Sequence, residues 1–262
     1  MPICFLLIFF LAQVPQRPAA TVREQVERVR ALLNIGKTSK ALRQIREMLE
    51  SHPGDPEAQF EAGAILQELA GTAFKRMERL APDSVETHEL LGNYYEAQGK
   101  LPNALAEYRM ALVKNSQAPG LHFLAGNILW KQRDFDAALP ELESELQINP
   151  NHSRASHRIG NIYLTRDESG RAIRYLERAV RGEPSLLEAR RDLGKAYRLS
   201  GRTNEALEQL TYVAEHRPDD DSVHAQLAAV YRALGKTDKA LAELKLQREL
   251  LQKRSEAALE KE

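Results

Sequence analysis

The sequence predicts an all-α chain built as a solenoid of antiparallel helix pairs, and three observations predict it. Residues of one chemical type recur every 34 positions in four separate columns. Ala, Leu, Glu, Arg and Lys dominate, the residues that lose least rotamer freedom in a helix, and aromatics are only 6%. Prolines punctuate the second half at the same spacing, at Pro150, Pro184 and Pro218. With 43% hydrophobic and 28% charged residues, the 262-residue chain has the composition of a folded protein with a sizeable core.

The columns appear when the segments beginning at Val85, Pro119, Ser153, Leu187 and Asp221 are superimposed. Gly92, Gly126, Gly160 and Gly194 share one column, with Ala228 last; three residues on come Tyr95, Leu129, Tyr163, Tyr197 and Tyr231. The next column is Ala104, Ala138, Ala172, Ala206 and Ala240, followed four residues later by Tyr108, Leu142, Leu176, Leu210 and Leu244. Small residues let two helix backbones approach, and the large ones fill the space they leave. Gly99, Gly201 and Gly235 fall where the first helix of a pair should end in a left-handed residue. The prolines stop the second helix, because proline lacks the N–H and clashes with the preceding turn. Each unit is then a helical hairpin whose apolar face only its neighbours can bury.

Around these regular units the organisation is predicted as follows. Residues 1–20 hold a ten-residue apolar run, Ile3–Ala12, and a Gln/Pro/Arg/Ala linker. The run is too short to span a bilayer and matches the hydrophobic region of a signal peptide, although no Lys or Arg precedes it. This points to a periplasmic or secreted protein with no integral membrane span once the signal is removed; a cytoplasmic protein with an apolar tail is the alternative. Residues 21–84 read as two degenerate repeats. Thr21–Pro53 keeps Leu32, Gly36, Ala41 and Ile45 in register but has Val29 where glycine is expected. Pro56–Ser84 keeps Gly63, Leu66, Ala70 and Phe74 but is five residues short at the turn. It is therefore expected to be one bent or continuous helix, or a hairpin with a truncated first arm, at which the solenoid changes direction. Residues 85–252 form the five regular units, closed by a capping helix that places Leu241, Leu244, Leu250 and Leu251 along one side. Residues 253–262 extend that helix or fray.

The pattern Leu91-Gly92…Tyr95…Ala104…Tyr108, repeated as Leu193-Gly194…Tyr197…Ala206…Leu210…Pro218, closely resembles the tetratricopeptide repeat. The resemblance covers about residues 22 to 251. It implies a right-handed superhelical array whose groove is lined by positions 2, 5, 9 and 12 of each first helix. Their spacing by three or four residues independently puts them on one helix face. Those positions carry Glu86, Glu89, Asn93 and Glu96, then Gly120, Phe123, Asn127 and Trp130, then Arg154, His157, Asn161 and Leu164. The last two units present Glu188, Arg191, Lys195 and Arg198, then Ser222, Ala225, Ala229 and Arg232. The face thus runs from acidic through aromatic to basic, a gradient that would orient a charged partner. Phe123 and Trp130 are the expected apolar anchor. Asn93, Asn127 and Asn161 form a candidate ladder of amides for an extended peptide backbone.

Other chemistry finds no support in the sequence. It contains no glycine-rich phosphate loop, no Gly-x-Ser-x-Gly elbow and no His-Glu-x-x-His, so neither an enzyme nor a metal or cofactor site is expected. The single cysteine, Cys4, excludes a disulfide framework. The 37 basic and 37 acidic residues cancel, which argues against nucleic acid as a partner. His88, His122 and His224 occur at position 4 of their units, where they are expected to pack between helices. Asp219, Asp220 and Asp221 are expected to supply a helix cap. The expected function is an interaction scaffold for a protein or peptide partner. An assembly factor for envelope or secreted complexes and a self-associating structural oligomer are the competing readings.

Overall fold

The computed structural model describes residues 20–259, so the signal-like run and Cys4 lie outside it. Among the described residues there are thirteen helices and no strand. None of these helices is long and apolar enough to cross a membrane. The described residues divide into two compact units, one running up to Leu80 and the other starting at Ala81.

In the first unit, α1 (Val22–Asn34) starts at a reciprocal capping box. The Glu24 amide donates to the Thr21 hydroxyl, and the Thr21 amide donates to the Glu24 carboxylate. Val22, Val26 and Val29 form its buried stripe, at the spacing that keeps residues on one helix face. Ala41, Ile45 and Met48 of α2 (Thr38–Ser51) complete the core with Ala58, Ala62 and Ile65 of α3 (Pro56–Leu80). The shortened segment is a single uninterrupted helix of 25 residues. No glycine or proline stands between Leu66 and Ala70 to break it; Gln67, Glu68 and Leu69 are all good helix formers. Gly63 does not play the part its column assigns, because a methyl group there would meet nothing within 4 Å.

The second unit is the regular array: α4 (Val85–Ala97) with α5 (Leu101–Lys114), α6 (Leu121–Lys131) with α7 (Phe135–Ile148), and α8 (Ser153–Thr165) with α9 (Ser169–Gly182). It continues through α10 (Leu187–Leu199) with α11 (Thr203–His216) and α12 (Asp221–Ala233) with α13 (Thr237–Leu259). Each helix packs on its hairpin partner, and α5, α7, α9 and α11 each pack on the first helix of the next pair, so one continuous core runs from Ala104 to Val230. The glycine column has the contacts predicted for it. A Cβ on Gly160 would sit 2.6 Å from the branch carbon of Leu176, and one on Gly194 2.6 Å from that of Leu210.

The turn inside every pair uses one left-handed residue in a fixed column. Gly99, Gly201 and Gly235 fill it as expected, but Arg133 and Asp167 take the same conformation, with φ of 63° and 59°. At the end of the array the capping helix differs from expectation. Leu241 and Leu251 are exposed while Leu244 and Leu250 are half-buried, because α13 has α12 on one side and no further pair on the other.

Candidate functional site

The first helices α4, α6, α8, α10 and α12 lie in the order in which the array stacks, and their side chains meet across neighbouring units. Trp130 near the end of α6 donates its indole N–H to the Asn161 side-chain oxygen on α8, at 3.0 Å. The Asn161 amide in turn donates to Asp192 on α10 at 2.9 Å, and His157 Nε2 reaches the same carboxylate oxygen at 2.9 Å. Arg158 lies with its guanidinium 3.9 Å from the Trp130 ring centre, and its Nε donates to the Asn127 oxygen at 2.9 Å. Three helices are thus joined by one polar network built around a tryptophan.

The electrostatics follow from this wiring. Burial alone would raise the Asp192 carboxyl, but the hydrogen bond and charge of His157, the Asn161 amide and Arg191 outweigh it and hold it low. Burial lowers the Arg158 guanidinium, against the attraction of the Asp192 and Glu188 charges.

The predicted residues divide between this network and its surroundings. The Tyr108 hydroxyl lies 2.8 Å from the Asn93 side-chain oxygen and 2.9 Å from Glu96, its single proton shared between the two acceptors, and Glu96 pairs with Lys131 at 2.7 Å. The oxygen of every asparagine in the ladder is therefore used within the chain. Phe123 is half-buried, with its ring 4.5 Å from that of His152, and Trp130 is half-buried beneath Arg158. Arg191 is paired with Asp220 at 3.1 Å. Glu89 is half-buried and has no polar partner among the described residues; the same is true of exposed Arg154 and Lys195. Arg198 is half-buried, and its Nε–H is enclosed without an acceptor.

Arg158 and Asp192 were not among the predicted site residues. Both occupy position 6, a column that reads Leu90, Leu124, Arg158, Asp192, Gln226. Its switch from apolar to polar in the third unit was the signal available in the sequence.

The position-4 histidines do more than pack. His88 Nδ1 lies 2.8 Å from Glu107, His122 Nδ1 2.6 Å from Glu141 and His224 Nδ1 2.7 Å from Glu243, each carboxylate on the second helix of the same pair. The other ring nitrogen turns to the loop before the helix: the Ser116 carbonyl for His122, the Pro218 carbonyl for His224 and the Asp83 carboxylate for His88. In the fourth unit Arg190 replaces histidine, donating to the Pro184 carbonyl and to Gln209. In the third, Ser156 is too short, and the Pro150 carbonyl accepts instead from Arg178. Asp220 caps α12 by accepting from the Ser222 amide at 3.0 Å, the role expected of that acidic loop. Among the described residues no group of His, Cys, Asp or Glu is arranged to hold a metal ion.

Comparison with known proteins agrees with this architecture. YrrB, described as a TPR protein with an unusual peptide-binding site, superposes with a TM-score of 0.60 at 24% identity, over 68% of this chain and 92% of its own. A MamA structure gives 0.57 at 19% identity, over 66% and 94%. MamA from Desulfovibrio magneticus RS-1 gives 0.59 at 20%, over 64% and 96%. Comparison with curated protein sequences returned no match. Models of the tetratricopeptide repeat match residues 68–119, 123–186 and 159–232. These matches take in most of the described residues beyond the first three helices, and the chain belongs to the tetratricopeptide repeat family.

Proposed function

We propose that this protein is a non-catalytic scaffold that holds one extended segment of a partner polypeptide along the face formed by α4, α6, α8, α10 and α12. The observation that supports this best is the division of unpaired charge along that face. Among the described residues Glu86 and Glu89 lack cationic partners at one end, while Arg154, Lys195 and Arg198 lack carboxylate partners towards the other. Charges that serve only the fold are normally paired or scattered, whereas a one-sided arrangement on a recessed face concentrates and orients an oppositely charged ligand. The partner segment is read as basic where it meets α4 and acidic where it meets α8 and α10. The apolar run Ile3–Ala12 supports export, which would make the partner an envelope or secreted protein.

A photo-crosslinking amino acid placed at Lys195, and separately at exposed Glu208 on α11, tests the reading in cells of the source organism. A partner captured from position 195 and absent from position 208 is the expected result. Capture from position 208 alone would move the binding surface to the second helices and overturn the proposal. Export is tested by fractionating the same cells.

A further inference from the structure

The second helices α9 and α11 carry opposite charge at the same positions of their repeats. Arg174 and Arg181 on α9 and Glu208 and Glu215 on α11 are exposed, and none of the four has an ion pair or side-chain hydrogen bond among the described residues. Glu208 stands one 34-residue period after Arg174, and Glu215 one period after Arg181. On each helix the two charges are seven residues apart, which puts them on one face and about 10 Å apart along its axis. The repeat does not impose this pattern. The column of Arg174 and Glu208 holds Ala106, Pro140 and Ala242 in the other regular units. That of Arg181 and Glu215 holds Val113, Gln147 and Glu249, and Lys245 pairs with Glu249. Between the charged positions the period relates Arg178 to Tyr212, both half-buried and both held: Arg178 by the Pro150 carbonyl, Tyr212 by the Arg190 guanidinium at 3.9 Å and the His216 ring.

We propose that the face formed by α9 and α11 binds a second copy of this chain, related to the first by a two-fold axis that runs parallel to the two helices. Such an axis carries α9 of one copy onto α11 of the other, and α11 onto α9, without changing position along the helix direction. It brings Arg174 to Glu208 of the second copy and Arg181 to Glu215, and symmetry makes each contact occur twice. An axis across the helices would instead set α9 against α9, arginine facing arginine, so the charges select one of the two arrangements. Arg178 and Tyr212, already ordered within each copy, lie between the ion pairs and lose little freedom on association. Exposed pairs of this kind are individually weak and are screened by salt, so the dimer is a weak, salt-sensitive one. A nucleic acid or an anionic lipid surface fits less well, because α9 would attract it while Glu208 and Glu215 on the next second helix repel it. The contact uses the second helices and does not depend on the reading of the first-helix face.

Sedimentation velocity of the full chain over a wide concentration range tests this, at about 20 mM and about 500 mM salt. The wild type should show a monomer–dimer equilibrium at low salt that weakens about tenfold or more at high salt. Two double variants reverse the charges: Arg174→Glu with Arg181→Glu makes both helices acidic, and Glu208→Arg with Glu215→Arg makes both basic. All four side chains are exposed, and circular dichroism checks that each variant folds. Each variant alone should be monomeric. Mixed in equal amounts they should dimerise, because the acidic α9 and α11 of one then meet the basic α11 and α9 of the other. A crosslinking amino acid at Glu208 should yield a product of twice the monomer mass, distinct from any captured partner. A wild type that stays monomeric at low salt overturns the proposal, as does a dimer that both variants retain or that high salt strengthens. Monomeric variants whose mixture also stays monomeric overturn the two-fold pairing. Capture at Glu208 of a different protein, with no doubled product, overturns the assignment to a second copy.

Discussion

His88 holds its Nδ1 2.8 Å from a carboxylate oxygen of Glu107, nineteen residues away on the partner helix, and its Nε2 3.1 Å from Asp83. The imidazole thereby ties both helices of the first regular pair to the loop that precedes them. Lys114 joins the cluster by pairing with Asp83.

This arrangement sets a pH dependence. His88 is held above the ordinary histidine value, chiefly by its hydrogen bond to Glu107, with Asp83 assisting and burial opposing. A group raised in the folded state contributes its stability in full below its unfolded value, near pH 6.5, and loses it as pH rises through the folded value. Taken alone, His88 should therefore make the thermal midpoint decline between about pH 6 and pH 8, with His152, held low by burial, acting in the opposite sense, and Glu107→Gln should flatten the His88 part of the profile. On the acid side Asp192 and Asp220 are held low despite burial, so their contribution is present above the carboxylate range and disappears as pH falls through it. Calorimetric scans of wild type and Glu107→Gln across this range check the prediction; an unchanged slope in the variant would count against it.

Two glycine-to-alanine substitutions should have opposite signs. Gly160→Ala drives a methyl group to 2.6 Å from Leu176 and should cost about 1–3 kcal/mol. Gly63→Ala, in the interior of α3 with nothing within 4 Å, should stabilise by about 0.5–1 kcal/mol. Urea denaturation followed by circular dichroism measures both, and two changes of the same sign would refute the packing argument.

Arg133 occupies a left-handed position that three of the five regular units give to glycine. Arg133→Gly should stabilise by about 1 kcal/mol, and Asp167→Gly by less, because aspartate tolerates that conformation better than arginine. A fall in the denaturation midpoint of Arg133→Gly would show that its contact with the Phe135 ring, at 5.7 Å, outweighs the backbone strain.

Glu145 is fully buried in a column that otherwise holds Ala111, Ala179, Val213 and Gln247, and its carboxylate accepts the Gly120 amide at 2.9 Å and 3.1 Å. Gly120 stands at the start of α6 and has no side chain with which to cap it. Glu145→Ala fits the space but leaves that amide without its acceptor, at a cost of about 1–3 kcal/mol. Hydrogen exchange should quicken at Gly120 and Leu121 and stay unchanged in α10; protection equal to wild type would show that the cap is dispensable.

The repeat itself was legible because its signal is backbone proximity. Gly160 against Leu176 and Gly194 against Leu210 demand specific residue sizes, and a demand repeated at a fixed period survives in the sequence. The candidate site was only half legible. Positions 2, 5, 9 and 12 led to Trp130, Asn161 and His157, but not to Arg158 and Asp192, the charged residues that wire them together. Those contacts cross between units, where sequence distance carries no geometric information. The shortened segment was open for a related reason. Gln67, Glu68 and Leu69 favour helix in a hairpin arm and in a continuous helix alike, so only the packing of Ala58, Ala62 and Ile65 distinguishes the two.

The loop carbonyls of Ser116, Pro150, Pro184 and Pro218 are each satisfied by a different donor: His122, Arg178, Arg190 and His224. The common element is a main-chain oxygen, which every residue type provides. The side chain that engages it belongs to the unit that follows the loop. At this contact a unit makes no demand on the residue type that precedes it, whereas the side-chain pairs Trp130–Asn161 and Asn161–Asp192 tie each unit to a particular neighbour.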